Sequence, residues 1–152
     1  LTQENIASFL TASSKNSTFA SMFADGFDTG YYYLAEDITL EKPIEVLPDD
    51  DITICLNGHT LTISKRFNTY NTFNICDCHA EGKEGGITSV ENVDHANGKK
   101  DYGAVAYCYY DTVMNLYGGN LTCTGSLTHG GVIATSHDGT TSHPDSPAAV
   151  RF

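Results

Sequence analysis

Long apolar segments are missing from this 152-residue sequence. No apolar run approaches the roughly 18 residues that a helix needs to cross a bilayer, so we expect no membrane insertion within the chain. The first residues, from Leu1 onward, carry neither the basic segment nor the apolar segment of an export signal. We therefore expect a processed or excised piece of a longer protein, with any export signal or anchor outside it.

Basic residues are also scarce, with 8 lysines and arginines against 19 acidic residues and a net charge of -11. A surface this acidic is repelled by phosphate groups, which argues against nucleic acid and anionic membranes as partners. Charged residues of both signs make up only 18% of the chain, whereas about 25% is usual in soluble proteins. This low content favours strands and turns over long solvated helices.

What the sequence does contain is a rhythm of short segments in which apolar and polar residues alternate, each closed by Gly, Asn or Asp. These segments are Ile52–Ile63, Phe73–Cys78, Gly103–Tyr107, Val113–Gly119, Asn120–Gly125 and Gly130–Ser136. Such alternation is typical of strands with one buried face. A repeated strand and turn predicts a solenoid.

The connections between these segments are less decisive. Tyr31–Leu40 also alternates, which places Ile38 and Leu40 inward, whereas Lys65–Thr72 is polar and leads to the next segment. Asn57-Gly58 divides the first segment into two runs and tolerates positive φ. This dipeptide fits either a hairpin turn or a solenoid corner.

The N-terminal part has a helical period. Apolar residues recur at i, i+3 and i+4 in two groups, which are Ile6, Phe9 and Leu10 and then Phe19, Met22 and Phe23. This spacing predicts helices within residues 1–24, with Thr2 as N-cap and Asn5 at the capping-box position. Because a solenoid needs its open end covered, we interpret residues 1–30 as an α-helical cap and residues 31–152 as coils of the same compact domain. A partner-binding role for the helices is the alternative.

From residue 31 to about residue 136, the order of segments resembles a known class of repeat protein. The matching segments are YYLAEDITL, ITICLNGHTLTI, FNICDC with a following GGIT, GAVAY, VMNLYGGNLT and GGVIA. They resemble large exported or cell-surface proteins of Firmicutes and related gut bacteria. The resemblance implies an all-β fold, a right-handed parallel β-helix of pectate-lyase-like type, and an extracellular or cell-surface location. The chain departs from that pattern in its few coils and in the insertion Glu91–Asp101.

The five cysteines are an odd number, which is a poor basis for a disulfide framework. They are Cys55, Cys76, Cys78, Cys108 and Cys123. The simplest interpretation is that most are small apolar residues on inward strand faces. A disulfide from Cys55 to Cys76 or Cys78 is possible, since about one coil separates them. A zinc site made by Cys76, Cys78 and His79 lacks the second spaced pair of ligands that such sites have.

An enzymatic role finds little support. Lysis of an acidic polysaccharide needs carboxylates that hold calcium and a basic residue that removes a proton. Asp49, Asp50 and Asp51 are the candidate calcium ligands, but they are adjacent and have no evident basic partner, so a solvated turn is the simpler interpretation. Six histidines are available for hydrolysis by a serine nucleophile, but the sequence has no G-x-S-x-G motif that would supply the serine. We expect a protein that is not an enzyme and that needs no cofactor, with calcium as the one candidate ion.

Tyrosine is the residue type that best fits a binding role. Two clusters occur, Tyr31 to Tyr33 and Tyr107 with Tyr109 and Tyr110, and a strand of period 2 turns at least one ring of each cluster outward. Exposed tyrosine suits sugar rings and protein partners. Packing under loops or the cap is the alternative, and the absence of tryptophan weakens the carbohydrate interpretation.

These observations lead to one functional hypothesis and two alternatives. We predict a non-catalytic module of an exported cell-surface protein, a scaffold or adhesin that recognises polysaccharide or a host surface protein. The predicted ligand-binding residues are Tyr31, Tyr33, Tyr107, Tyr109 and Tyr110. The alternatives are a carbohydrate-active, lyase-like β-helix fragment and a module that binds a partner through its N-terminal helices.

Overall fold

The computed structural model describes residues 1–6, 10–11, 26–27, 29–41, 44–46, 50–78, 82–92, 103–109, 111–126, 131–135 and 148–152. These residues form fifteen strands. The strands are β1 (Leu10–Thr11), β2 (Gly26–Phe27), β3 (Gly30–Tyr33), β4 (Ile38–Leu40), β5 (Ile44–Val46), β6 (Ile52–Cys55), β7 (Thr60–Ile63), β8 (Phe67–Thr69), β9 (Thr72–Cys76), β10 (Gly86–Ser89), β11 (Gly103–Cys108), β12 (Val113–Leu116), β13 (Asn120–Cys123), β14 (Gly131–Thr135) and β15 (Ala149–Arg151).

The strands lie in three sheets. Sheet A has the order β1-β2-β5-β8-β11-β14, sheet B the order β15-β12-β9-β6-β3, and sheet C the order β13-β10-β7-β4. Among the described pairs, β1 and β2 are antiparallel and the others are parallel. From β3 onward the chain visits sheets B, C and A in turn, so each strand pairs with the strand three places later in the sequence. The predicted all-β fold with parallel sheets is confirmed, each coil has three strands, and the arrangement is compatible with a β-helix-like solenoid.

Side chains that point inward from successive coils stack in register. In sheet B, Ile52, Phe73 and Met114 are Cα partners, and all three are fully buried. Ile54 and Ile75 form the neighbouring inward row. Full burial of one such side chain contributes about 1.5–3 kcal/mol. Each coil is therefore stabilised by apolar contacts with the coils on either side of it.

The corner between sheets B and C depends on positive φ. Asn57 (φ 52°) and Gly58 (φ 72°) separate β6 from β7, and because these strands belong to different sheets the dipeptide forms a solenoid corner, not a hairpin. In the following coil, Asp77 accepts hydrogen bonds from the N–H of Gly58 at 2.7 Å and from the N–H of Gly85 at 2.7 Å. One carboxylate thus ties two neighbouring corners together.

The predicted N-terminal helical cap is not observed among the described residues. Thr2 and Asn5 do make reciprocal capping contacts, from Thr2 N–H to Asn5 Oδ1 at 2.8 Å and from Asn5 N–H to Thr2 Oγ1 at 3.2 Å. The described residues after this turn form β1 and β2, and a single turn is costly to propagate as an isolated helix. Residues 7–9, 12–25 and 28 lie outside the described part of the chain.

The first three residues cover the edge of the first coil by direct hydrogen bonding. The Leu1 ammonium donates to the carbonyl of Tyr33. The Thr39 N–H donates to Oε1 of Gln3 at 2.7 Å, and Nε2 of Gln3 donates to the Thr39 carbonyl at 3.0 Å. Tyr33 and Thr39 lie on β3 and β4, the edge strands of sheets B and C. The N-terminal turn therefore shields edges that otherwise present free backbone groups.

Two stretches differ from the sequence prediction. Phe67–Thr69 forms a strand within the segment that was expected to be a polar connection, and Phe67 is fully buried with its ring 4.8 Å from that of Phe73. Tyr31–Leu40 is divided between two sheets, although Ile38 and Leu40 are buried as predicted. Within the described residues, no helix has the length and apolarity that crossing a membrane requires.

Candidate functional site

Sheet B carries two rows of outward-facing side chains that cross the coils. The first, which we call the polar row, consists of Tyr31, Thr53, Asn74, Asn115 and Arg151. The second, the thiol row, consists of Tyr33, Cys55 and Cys76 and continues with Tyr117. Both rows alternate with the inward side chains of the same strands, because successive residues of a strand face opposite ways.

Two of the predicted binding tyrosines stand on this face. Tyr31 is 90% exposed and Tyr33 is 62% exposed, while Tyr32 between them packs against the core. The alternation of β3 therefore presents two rings to solvent, two residues apart on one edge strand. A large exposed ring is the feature that most favours contact with a sugar or a protein partner.

A groove of about 270 Å³ lies beside Tyr31. Its lining residues are Thr29, Gly30, Tyr31, Asp51, Thr53, Thr72 and Asn74. The groove therefore combines one aromatic ring with hydroxyl, amide and carboxylate groups. Concave sites that pair an apolar surface with a few placed polar groups are typical of ligand binding.

Hydrogen bonds between coils fix the floor of the groove. Asn74 Nδ2 donates to Thr53 Oγ1 at 3.1 Å, and Asn115 Nδ2 donates to Asn74 Oδ1 at 2.7 Å. Each side chain in this series is held by its neighbour along the solenoid axis. The polar groups are thus placed before a ligand arrives, which lowers the entropy cost of binding.

Asp50 and Thr29 shape the rim. Asp50 is 2% exposed, and its Oδ1 accepts hydrogen bonds from the N–H of Thr29 at 3.1 Å and from Thr29 Oγ1 at 2.9 Å. The N–H of Asp51 donates to the same Thr29 hydroxyl at 3.1 Å. Asp50 therefore holds the start of β3 against the next coil. This use is structural and differs from the predicted solvated turn.

The same residues bear on the calcium hypothesis. Asp49 lies outside the described residues, Asp50 is engaged with Thr29, and Asp51 is exposed at the groove. Of the two described carboxylates, Asp51 is the one that lines the groove and is exposed to solvent. The calcium site stays a prediction, because the described contacts do not bring these carboxylates together around one position.

The second tyrosine cluster is packed on itself. Tyr107 is 9% exposed, and its ring contacts Tyr109 edge to face at 4.7 Å between centroids. Tyr109 stacks on Tyr70 at 4.2 Å, and the guanidinium carbon of Arg66 lies 5.1 Å from the centre of the Tyr107 ring. Tyr110 lies outside the described residues. The ring faces of Tyr107 and Tyr109 are used within the fold, so the groove beside Tyr31 is the better candidate site.

Three cysteines come together at the thiol row. Cys55 and Cys76 are Cα partners on β6 and β9, and the N–H of Cys78 donates to Cys55 Sγ at 3.3 Å. The three sulfur atoms lie within 4.8 Å of one another. The predicted proximity of Cys55 to Cys76 and Cys78 is confirmed, and all three are free thiols. The prediction that most cysteines are buried on inward strand faces is wrong: Cys108 is fully buried, whereas Cys55, Cys76 and Cys123 are half-buried and Cys78 is exposed.

The three thiols differ in pKa because of their burial and their hydrogen bonds to one another. Burial opposes ionisation of Cys55, but hydrogen bonds from the Cys78 thiol and from the N–H groups of Cys78 and Asn57 lower its pKa below the ordinary value. Burial, and then the charge of Cys55, raise the pKa of Cys76 to about 12. Contact with Cys55 also raises the pKa of Cys78. Cys55 is therefore the first of the three to become a thiolate.

An apolar cavity of about 440 Å³ lies elsewhere, at the last coil. Leu116, Leu121, Val132 and Ile133 line it together with Gly119, Asn120 and Phe152. Its walls offer few polar groups that would fix the orientation of a sugar. The groove on sheet B is the better candidate site, because its hydroxyl, amide and carboxylate groups can fix the orientation of a ligand.

Tyr31 can be recognised as a candidate from the sequence alone, whereas the polar residues of the groove cannot. Thr53 and Asn74 look unremarkable in the sequence, since each is a polar residue in an alternating strand. They become neighbours only through the coil register, in which the hydrogen-bonded pair is 21 residues apart. Compared with protein-family models, with curated proteins and with solved structures, the chain gives no match.

Proposed function

We propose that this protein is a non-catalytic recognition module of an exported cell-surface protein, and that it binds polysaccharide in the groove beside Tyr31. The observation that carries the proposal is the exposed Tyr31 ring beside a polar groove whose amide and hydroxyl groups are held in place by hydrogen bonds between coils. Sugars present both apolar C–H faces and hydroxyl groups, and this groove offers a partner for each. The cell-surface location is supported by the resemblance described above.

A right-handed winding of the coils belongs to the same proposal. Parallel strands joined by a crossover are right-handed in about 98% of known cases, and each turn of this solenoid makes such crossovers. The groove lies on the outer face of sheet B, which continues across the coils. A repeating polymer that binds there would cross several coils, because the polar row extends from β3 to β15.

Glycan-array screening of the whole chain, followed by calorimetric titration with the best soluble oligosaccharide, tests the proposal. We expect Tyr31→Ala to weaken binding about tenfold or more, equivalent to about 1.4 kcal/mol. Asn74→Ala should also weaken it, because the amide lines the groove. Tyr117→Ala is the matched control, since Tyr117 is 72% exposed and does not line the groove.

Two results would contradict the proposal. One is an array that shows no saturable binding to any glycan. The other is a glycan whose affinity falls equally in Tyr31→Ala and Tyr117→Ala, which would mean that exposed rings bind without a specific groove. Circular dichroism spectra of both variants establish that the sheets are intact.

A further inference from the structure

Three thiols, and not only two, meet on the outer face of sheet B. Their sulfur atoms lie within 4.8 Å of one another. Two of them project from adjacent parallel strands, and Cys78 approaches from the segment after β9. Cys78 is exposed and its two neighbours are half-buried. An ion from solvent can therefore reach the cluster without any opening of the core.

Strand geometry favours a shared ion over a disulfide. A disulfide needs sulfur atoms about 2.05 Å apart and Cβ atoms about 3.8 Å apart, whereas neighbouring strands are about 4.8 Å apart. Cys55 and Cys76 face each other in register, so their Cβ bonds run side by side and do not converge. Metal–sulfur bonds of about 2.3 Å set the sulfur atoms about 3.8–4.0 Å apart. Metal binding thus needs a smaller adjustment, and it uses all three sulfurs.

The surroundings of Cys55 already support a ligand role. Its sulfur accepts the N–H of Cys78 at 3.3 Å. Hydrogen bonds of this kind orient a metal-binding thiolate. The carboxylate of Asp77 is held by Gly58 and Gly85 at the corner, and His79 lies outside the described residues. Among the residues that the structure describes, the fourth coordination position is therefore left to water or to an external ligand on the exposed side.

We propose that Cys55, Cys76 and Cys78 together bind one thiophilic cation of the Zn²⁺ class through three thiolates. Thiolate sulfur is the donor that Zn²⁺ and similar soft ions prefer over Ca²⁺ or Mg²⁺. Binding releases the remaining thiol protons to the buffer. The net charge of -11 favours the approach of a cation. This site is separate from the groove, and it does not depend on glycan recognition.

Titration of the reduced whole chain with Cd²⁺, and competition by Zn²⁺, test the site. We expect saturation at one equivalent, with sulfur-to-cadmium charge-transfer absorption of the strength given by three thiolates, and displacement by Zn²⁺. Cys55→Ser, Cys76→Ser and Cys78→Ser should each lower the affinity at least about tenfold, since even outer-shell changes cost that much. Cys123→Ser is the matched control, because this half-buried thiol lies in sheet C, outside the cluster.

The proposal is overturned by titrations without a one-to-one end point, or by cluster variants that bind Cd²⁺ as Cys123→Ser does. A protein that forms a Cys55–Cys78 disulfide in air, and that binds no Cd²⁺ when reduced, overturns it as well. A measurement on the unmodified sequence avoids any folding defect of the variants. Bound Zn²⁺ should slow alkylation of Cys78 but not of Cys123, and equal rates with and without Zn²⁺ would also refute the site.

Discussion

The side-chain amide of Asn115 donates a hydrogen bond to Oδ1 of Asn74, 2.7 Å away, although 41 residues separate them in the chain. They meet because coils stack at the spacing of paired strands, about 4.8 Å. Asn74 Nδ2 in turn donates to Thr53 Oγ1 in the adjacent coil, at 3.1 Å. The outer face of sheet B is therefore held by a side-chain ladder as well as by the backbone.

Removing the middle amide of this ladder should destabilise the fold. Asn74→Ala takes away the acceptor of Asn115, which is only 8% exposed, and the donor to Thr53. We expect a loss of about 1–3 kcal/mol in the free energy of unfolding, the cost of leaving a buried polar group unsatisfied. Urea denaturation measures it.

Asn120→Ala is the control for this change. Asn120 is exposed, and its amide donates to Glu84 Oε2 at 3.2 Å, so its loss should cost under about 0.5 kcal/mol. Equal losses in the two variants would mean that the ladder adds nothing to stability.

Much of the fold could be predicted because its signals are local. Inward alternation identified Ile38 and Leu40. Asn57-Gly58 marked a turn through its tolerance of positive φ, although the dipeptide alone did not decide between a hairpin and a solenoid corner. The strand at Phe67 was missed because it is three residues long and follows Lys65 and Arg66, so its one buried ring shows no period. The N-terminal helix prediction failed among the described residues because apolar spacing alone does not reveal that the first residues bond to strand edges.

The candidate site was harder to predict, since it depends on which coils are neighbours. The period of β3 indicated outward rings, and Tyr31 and Tyr33 are exposed. The same reasoning could not show that Tyr107 lies against Arg66 or that Tyr109 stacks on Tyr70, because those contacts join separate coils. The thiol cluster was within reach of sequence reasoning because the cysteines are spaced by one coil.

Two glycines with nearly the same backbone conformation should respond differently to substitution. Gly119 (φ 89°) and Gly82 (φ 87°) both occupy the left-handed region, where any other residue costs about 1–2 kcal/mol. A Cβ at Gly119 would lie 2.4 Å from Cδ1 of the buried Leu56, while a Cβ at Gly82 meets nothing within 4 Å. Gly119→Ala should therefore cost about 1–3 kcal/mol more than Gly82→Ala through overpacking.

Thermal unfolding of the two glycine variants under identical conditions measures this difference. Because Gly82→Ala carries the conformational cost alone, it serves as the control for Gly119→Ala. Equal losses of stability would show that Leu56 moves aside at no cost, and the tight corner packing would then not be a constraint.

Acid should remove a stabilising contact at Asp37. The Thr60 N–H, which donates to Oδ1 at 2.9 Å, lowers the pKa of this carboxyl below its ordinary 3.8. Partial desolvation acts in the opposite direction, and the hydrogen bond and charge of His59 lower the pKa further. Since the folded pKa is the lower one, the contribution is complete well above pH 3.8 and is lost as pH falls through the folded value. The side chain is 75% exposed, so the effect is small and weakens in salt.

The check is the difference in unfolding free energy between the natural sequence and Asp37→Asn. This difference should be present at about pH 7 and vanish at about pH 2. Glu4→Gln, at an exposed position, controls for the loss of one negative charge. A difference that stays constant across this range would show that the charge on Asp37 is irrelevant to the contact with Thr60.

The Gln3 amide should protect the edge of sheet C from self-association. It satisfies both backbone groups of Thr39 on the edge strand β4, at 2.7 Å and 3.0 Å. Gln3→Ala frees these groups, so we expect a loss of about 1–2 kcal/mol from two hydrogen bonds and association that rises with concentration, as exposed edge strands pair with one another. Sedimentation velocity and urea denaturation measure the two effects.

Two further variants separate edge protection from a general effect of the N-terminal turn. Gln3→Glu keeps an acceptor for the Thr39 N–H but presents a carboxylate to the Thr39 carbonyl, so it should lose stability while its charge still discourages pairing. Glu4→Ala, one residue along the same exposed turn, should change neither measurement. If Gln3→Ala stays monomeric at every concentration at which Glu4→Ala does, the amide does not guard the edge, and the contacts of Leu1 and the rest of the turn must suffice to cover it.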